Sequence, residues 1–393
     1  MLFAQSALLS LFATHAVVHA SADGDHHPHG EHSFRNSEVV QGKIFDRIVQ
    51  IWLENTDFDA AFADPSLQAL AKQGLTLTNY FAVTHPSEPN YVASVGGEYF
   101  GMNNDNLNNV PANVSSVVDL LEDKEISWAE YQEDMPSTGF QGFDFRNPQT
   151  GANDYVRKHN PLIIFQSVTE KPNRLANIKN FTLFQEDLAA NKLPQWIFIT
   201  PNMTNDGHDT NVTFTGKWAK DFIEPLLQNP NFNDDRTLVV LTFDENEAGS
   251  QPNRVFTILL GGAVPKELIG KTDDNFYDHY STIATVEANW NLHTLGRWDV
   301  GANVFGFVGE QTGDRLQKPQ NMSSIELNLS YPGIFNTKKW AKQPVPNTRL
   351  VVNGRTVLPA IVDAWDSQVN CTGYFGQLVP PSGLTPPPIP TGC

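Results

Sequence analysis

Cysteine, basic charge and long apolar runs are all scarce in this 393-residue chain. Its two cysteines, Cys371 and Cys393, both lie near the C-terminus. So few exclude a disulfide-dense scaffold or a cysteine-rich zinc module. In an oxidising compartment the pair is expected to join and staple the C-terminal tail. Lys and Arg number 26 against 44 Asp and Glu, giving a formal charge of −18 and a pI near 4.9. Nucleic acid and anionic membranes need basic patches, so neither is expected as a partner. No apolar run reaches the ~20 residues that span a bilayer, so no membrane anchor is expected.

Charge is missing altogether from the first twenty residues, which contain no Asp, Glu, Lys or Arg. They run through Ala7-Leu-Leu-Ser-Leu-Phe-Ala13 and end on the small residues around Val18-His19-Ala20. Despite the lack of a basic start, residues 1–20 read as a signal peptide and the chain as secreted and extracellular. Seven Asn-X-Ser/Thr sequons follow, at Asn113, Asn180, Asn202, Asn211, Asn321, Asn328 and Asn370. In a secreted chain they are glycosylation acceptors, with Asn202 set aside for reasons given below.

Residues 21–42 are polar and carry His26, His27, His29 and His32, a composition that suits a disordered arm. From residue 43 the pattern changes. Short apolar runs at 47–53, 75–83, 195–200, 237–243 and 254–260 alternate with helical stretches at 65–72, 217–227 and 277–292. Such alternation predicts an α/β fold, a doubly wound and largely parallel sheet with helices on both faces. The catalytic domain is expected over 43–330. Within it 98–190, irregular and rich in Asn, Gly and aromatics, reads as a capping insertion. Residues 331–393 read as a C-terminal extension ending in a stiff Pro-rich tail.

Ligands of open α/β sheets bind beyond the C-terminal ends of the strands. Three runs end there in polar side chains: Glu54-Asn55, Asn202 and Asp244-Glu245. Between the first two lies Thr84-His-Pro-Ser-Glu-Pro-Asn-Tyr91, with Pro89 suited to a first helical turn and Ser87 near the N-cap. Ser87 there is either a plain cap or a group presented beside free N–H donors, as an anion site requires. The loop Asn205-Asp-Gly-His-Asp209 supplies His208, Tyr277-Asp-His-Tyr280 supplies His279, and Arg157-Lys-His-Asn-Pro161 supplies His159 in the insertion.

Taken in order, these motifs resemble the phosphoesterase family, which holds fungal secreted acid phosphatases and bacterial phosphatidylcholine-type phospholipases C. It resembles in turn a branch of the alkaline-phosphatase superfamily. The resemblance implies that Ser87 is the nucleophile and that Glu54, Asn55, Asp244 and Glu245, with Ser87, hold a metal. That set is nearly all oxygen, which favours one hard divalent cation (magnesium, calcium or manganese) over zinc. The superfamily's second metal maps onto Asn202, His208 and His279, where a neutral amide replaces a carboxylate. The expectation is therefore that the second metal is absent and protonated histidines stand in for its charge. Asn202, His159 and Asn55 would bind the phosphate, Ser87, His208 and His279 would be catalytic, and activity would be highest in acid. The expected reaction is hydrolysis of small phosphate monoesters through a phosphoserine. A phospholipase C-type phosphodiesterase on the same site is the alternative, and a non-catalytic metal- or glycan-binding protein the remote one.

Overall fold

The computed structural model describes residues 39–249, 252–317, 331–343 and 345–369. The signal segment, the four arm histidines, Cys371, Cys393 and the sequons at Asn321, Asn328 and Asn370 lie outside the described residues. Residues 39–42, assigned above to the arm, belong to the fold. Val40 exchanges two hydrogen bonds with the Gln195 side chain, and its carbonyl also accepts from the Trp290 indole at 3.0 Å.

The strands are β1 (Arg47–Leu53), β2 (Leu75–Phe81), β3 (Trp128–Gln132), β4 (Asp144–Arg146), β5 (Asn153–Val156), β6 (Ile178–Asn180), β7 (Trp196–Thr200), β8 (Thr237–Phe243), β9 (Arg254–Leu260) and β10 (Lys271–Asp278). Eight form one sheet in the order β10-β2-β9-β8-β1-β7-β3-β6. Only β9 runs antiparallel to its neighbours. The connection 244–253 explains this, being shorter than the dozen or so residues a parallel crossover needs. Apart from a half-buried Arg47, β1, β7 and β8 are buried throughout, which is why their sequences are continuous apolar runs rather than alternating ones. The helices pack in pairs, Pro65–Ala71 with Val212–Leu227 and Ser87–Gly96 with His279–Trp290.

The segment 98–190, expected as a capping insertion, builds part of the sheet itself. It contributes β3 and β6, which extend the sheet beyond β7, and the β4–β5 hairpin. β10 escapes the sequence pattern because Lys271-Thr-Asp-Asp-Asn275 is polar, as an edge strand with solvent-facing residues can be. Tyr277 and Asp278 accordingly lie in β10, and the helix begins at His279. Asp278 accepts from Tyr280 N while Ser281 Oγ bonds back to Asp278 N, a capping box. The helix Val212–Leu227 starts five residues before the expected Lys217, because Asn211 Oδ1 caps Thr213 N and Phe214 N.

The described part of the C-terminal extension also packs onto the fold. A hairpin, β11 (Val351–Val352) and β12 (Arg355–Thr356), leads to the helix Pro359–Trp365, which buries Ile361 and Trp365. The Arg355 guanidinium meets Asp314 at 2.6 Å with both side chains almost fully buried. Removing one partner of such a pair strands a buried charge, at about 3–5 kcal/mol.

Several buried acids tie stability to pH. Burial, partly offset by a hydrogen bond from Asn108, pushes Glu88 up to about 8. Burial likewise pushes Asp278 up to about 7 against its cap hydrogen bonds. In the unfolded chain such groups ionise near ~4. Between that value and the folded one the unfolded state loses a proton that the native state keeps, so rising pH favours unfolding. The melting temperature is expected to fall from pH 5 to pH 8, and Glu88→Gln to flatten the slope. A wild-type melting temperature constant across that range contradicts this account.

Candidate active site

In the sheet β1 lies between β7 and β8, so the polar ends of three strands meet side by side. Backbone bonds carry the pairing past the strands: Asp244 N to Leu53 O at 3.0 Å, Glu54 N to Asp206 O at 2.9 Å and Thr56 N to Glu245 O at 3.3 Å. Gly207, with φ of 109°, turns the loop after β7 so that Asp206 and His208 both follow a short path back.

Ser87 opens the helix Ser87–Gly96, all ten of whose residues are buried. Pro86 is the N-cap, so Ser87 is the first helical residue rather than the cap itself. Asn90 shapes the approach: its Oδ1 accepts from Val83 N and Thr84 N while its Nδ2 donates to Thr84 O. The Ser87 hydroxyl donates to Glu54 Oε2 at 3.2 Å, with Glu245 Oε1 3.5 Å away. Gly97 closes the helix at φ of 65°, where a Cβ would lie 2.9 Å from Asp299 Oδ1.

Glu54 is fully buried and divides its two oxygens. Oε1 accepts from Tyr91 at 2.6 Å and lies 3.1 Å from His159 Nε2, while Oε2 faces Ser87. His159 is no surface histidine: it is 2% exposed, stacks on Tyr91 and places Nδ1 3.3 Å from Asp206 Oδ2. Glu54, His159 and Asp206 form a buried group that could hold a metal ion, with one ligand atom from each within 4.8 Å of the others. Burial alone would push Glu54 up, but His159, then Lys158 and Tyr91, bring it down to about 2. Burial pulls His159 down, yet the Glu54 charge and the Asp206 hydrogen bond outweigh burial and Lys158, so it holds its proton above the usual range. Asp206 is pushed up to about 6, by burial first and against His159.

On the other side of Glu54 lies an oxygen-rich cluster of side chains. Asn55 Nδ2 donates to Glu245 Oε1 at 2.8 Å, which turns Asn55 Oδ1 away from it. That Oδ1 and both carboxylate oxygens of Asp244 are buried without a hydrogen-bond partner. Burial, then the Glu54 and Glu245 charges, drive Asp244 well above the usual carboxylate range, with only slight relief from Lys158 and the Ser87 hydroxyl. Burial raises Glu245 too, although His85 Nδ1 stands 2.6 Å from its Oε2. Buried acceptors are rarely left unpaired, and each costs about 1–3 kcal/mol. Three orphaned oxygens beside a serine hydroxyl fit an oxygen-coordinated cation.

The other expected site residues are not all brought here. Asn202 is consumed by its own loop: Oδ1 accepts from Thr204 N and Asn205 N, and Nδ2 donates to Asp134 at 2.7 Å. His279 is fully buried, with Nε2 donating to the Asp244 carbonyl at 2.6 Å and Nδ1 3.3 Å from the Tyr80 hydroxyl. Burial pushes it down to about 3 despite that carbonyl, which disfavours the imidazolium expected there. His208 does sit at the rim, with Nδ1 on Asp209 and Nε2 3.3 Å from Lys158 Nζ.

Sequence reasoning passed over Asp206, His85, Tyr91 and Lys158. Asp206 carried a signal, a carboxylate four residues past a strand-end Asn, and Lys158 stands beside a singled-out histidine. Nothing in the linear pattern marks Tyr91. Of the sequons, Asn113 and Asn211 are exposed, whereas the Asn180 amide donates to Met135 O at 3.2 Å.

A model of the Phosphoesterase family matches residues 29–293. The chain is 55% identical over 303 residues to an acid phosphatase of Aspergillus fumigatus, covering 77% of this chain and 67% of that one. It is 54% identical over 330 residues to a probable acid phosphatase of Kluyveromyces lactis, covering 84% and 77%. A solved Vibrio parahaemolyticus protein in the alkaline phosphatase superfamily is similar at 11% identity and a TM-score of 0.43, covering 63% and 66%. The family match spans the sheet and every residue of the cluster from Glu54 to Glu245, and the chain belongs to the Phosphoesterase family.

Proposed function

We propose that this protein is a secreted acid phosphatase that hydrolyses small phosphate monoesters through a phosphoserine on Ser87. The observation that carries the reading is the Ser87 hydroxyl at the first residue of a buried helix, 3.2 Å from Glu54 and beside the orphaned oxygens of Asp244 and Asn55. The acid phosphatases named among its relatives support the same class of reaction. The charge-free first twenty residues and the exposed sequons Asn113 and Asn211 support secretion and glycosylation.

Glu54, Asn55, Ser87, Asp244 and Glu245 would hold one divalent cation, and their oxygen donors favour magnesium, calcium or manganese over zinc. Bound there, such an ion supplies positive charge that eases ionisation of the serine and offsets charge on the phosphoryl group. The chain does the rest. The serine proton passes to the carboxylates that already surround it, the Oγ–phosphorus bond forms, and the ester bond breaks as the alcohol departs. His208, the histidine at the rim, hands a proton to the departing oxygen. Water then attacks the phosphoserine, releases phosphate and restores Ser87. His159, held protonated between Glu54 and Asp206, takes over the charge that was expected of His279.

Three outcomes follow. Ser87→Ala is expected to lower kcat by roughly a thousandfold or more while leaving the melting temperature nearly unchanged, and labelled substrate quenched in acid to leave its phosphate on Ser87. A variant that keeps most of its activity removes Ser87 as nucleophile. Elemental analysis is expected to find one equivalent of a non-zinc divalent metal, lost in Asp244→Asn and kept in Asp206→Asn. Two equivalents, or loss only in Asp206→Asn, would move the ion to the His159 side. Finally, a chromogenic monoester is expected to be cleaved faster than its matched diester, with rates highest in acid. The sign follows from His159, whose charged form Glu54 maintains at low pH and which is lost as pH rises through its raised value. Preference for the diester would favour the phospholipase C-type reading.

A further inference from the structure

The two donors expected for the phosphoryl oxygens are already engaged, the Asn202 amide with Asp134 and the His279 imidazole with the Asp244 carbonyl. A phosphoryl transition state spreads negative charge over its equatorial oxygens, and fixed positive charge must face it. We infer that Lys158 is that group, a catalytic residue whose ammonium binds the phosphoryl oxygens opposite Ser87 and serves where a second metal ion would otherwise stand. The inference rests on the phosphatase reading above.

The position of Lys158 is fixed from both sides. It is the middle residue of the short turn Arg157–His159, whose other two residues are buried. The Arg157 guanidinium is clamped on Asn108 O at 2.8 Å, Ile163 O at 2.9 Å and Asn109 Oδ1 at 2.9 Å. His159 is wedged between Glu54 and Asp206. With both neighbours immobilised, the lysine side chain reaches across the rim, 17% exposed, within electrostatic reach of Glu54, Asp244 and Glu245.

Asp105 sets its direction. One oxygen of Asp105 accepts from Glu88 N at 2.9 Å, the amide directly after the nucleophile, and the other stands 3.5 Å from Lys158 Nζ. The lysine is thereby referenced to the turn that presents Ser87. Its contacts are loose for an ammonium. A charged N–H to carboxylate bond is usually about 2.7–2.9 Å, and Lys179 meets Asp187 at 2.6 Å in this same protein. Lys158 instead has a long contact to Asp105 and a 3.3 Å contact to His208 Nε2. A phosphate dianion arriving at the rim offers shorter, charged acceptors to donors that are only weakly engaged.

The test uses the full-length enzyme with its metal, comparing Lys158→Met, Lys158→Arg and Ser87→Ala. Orthovanadate, which mimics the five-coordinate phosphorus, serves as the binding probe. Lys158→Met is expected to lower kcat on an aryl phosphate by roughly a hundredfold or more. It should weaken vanadate inhibition by a similar factor, with metal content and melting temperature unchanged. Lys158→Arg is expected to recover part of both. Lys158→Met with wild-type kcat, or with reduced kcat but wild-type vanadate affinity, overturns the inference. Should the methionine variant fold poorly, Lys158→Gln is read by the same two criteria. An inactive Ser87→Ala beside a fully active Lys158→Met sinks the lysine alone. An active Ser87→Ala sinks the nucleophile reading, whatever the lysine does.

Discussion

Four carboxylates, Glu54, Asp206, Asp244 and Glu245, are buried together at the ends of adjacent strands, and the rest of the site follows from holding their charge. At short range in a poorly solvated interior, like charges repel strongly and each alone would take up a proton. Two cations face the problem, His159 and Lys158, and the His85 imidazole stands beside Glu245. These suffice to keep Glu54 ionised but leave Asp244 strongly shifted and its oxygens unpartnered. An additional cation is the natural complement, and the serine hydroxyl stands where it would share that ion's field. Charge balance and nucleophile activation are therefore one requirement.

Rigidity makes that balance stable. Glu54 follows the central strand of the sheet, and the backbone bonds at its end tie it to both neighbouring loops. Its compensating histidine comes from the other side, from the 98–190 segment, which is anchored by two strands in the same sheet. The segment is thus a structural contributor that delivers His159 and Lys158 to fixed points. Tyr91, one turn along from Ser87, packs between Trp52 and His159 and couples the helix to both.

What the sequence revealed follows from how the residues are placed. Glu54, Asn55, Asp244 and Glu245 end apolar runs, so their position beyond the strands of a parallel sheet was legible from pattern alone. Ser87 was legible through its proline and helix signals, one residue off in register. His159 and Asp206 meet only in three dimensions, across two different connections, so their pairing was not legible in the linear pattern. Asn202 lies two residues past a strand end, and there its Oδ1 accepts from its own backbone two and three residues on, as Asx turns do. His279 was misread because a helix start suggests exposure to an anion. Here the preceding Asp278 already satisfies the terminal donors, and the imidazole turns inward to Trp52. The edge strand β10 was hidden by its polarity and the C-terminal hairpin by its shortness.

Acid conditions favour this molecule for two reasons that share one cause. Its buried carboxyls, Glu88 and Asp278 among them, keep their protons in the folded state at pH values where the unfolded chain loses them, so acid removes an incentive to unfold. A formal charge of −18 at neutrality also sets the surface against itself, and partial protonation in acid relaxes that repulsion. The site obeys the same rule with the sign of interest reversed: protons that neutralise excess acid elsewhere keep His159 positive beside Glu54. A second metal ion would hold its charge at any pH, whereas an imidazolium and an ammonium depend on their neighbours to hold theirs. On the proposed reading, activity is expected in the pH range in which His159 keeps its proton, and the raised values of Glu88 and Asp278 favour the fold on the same acid side.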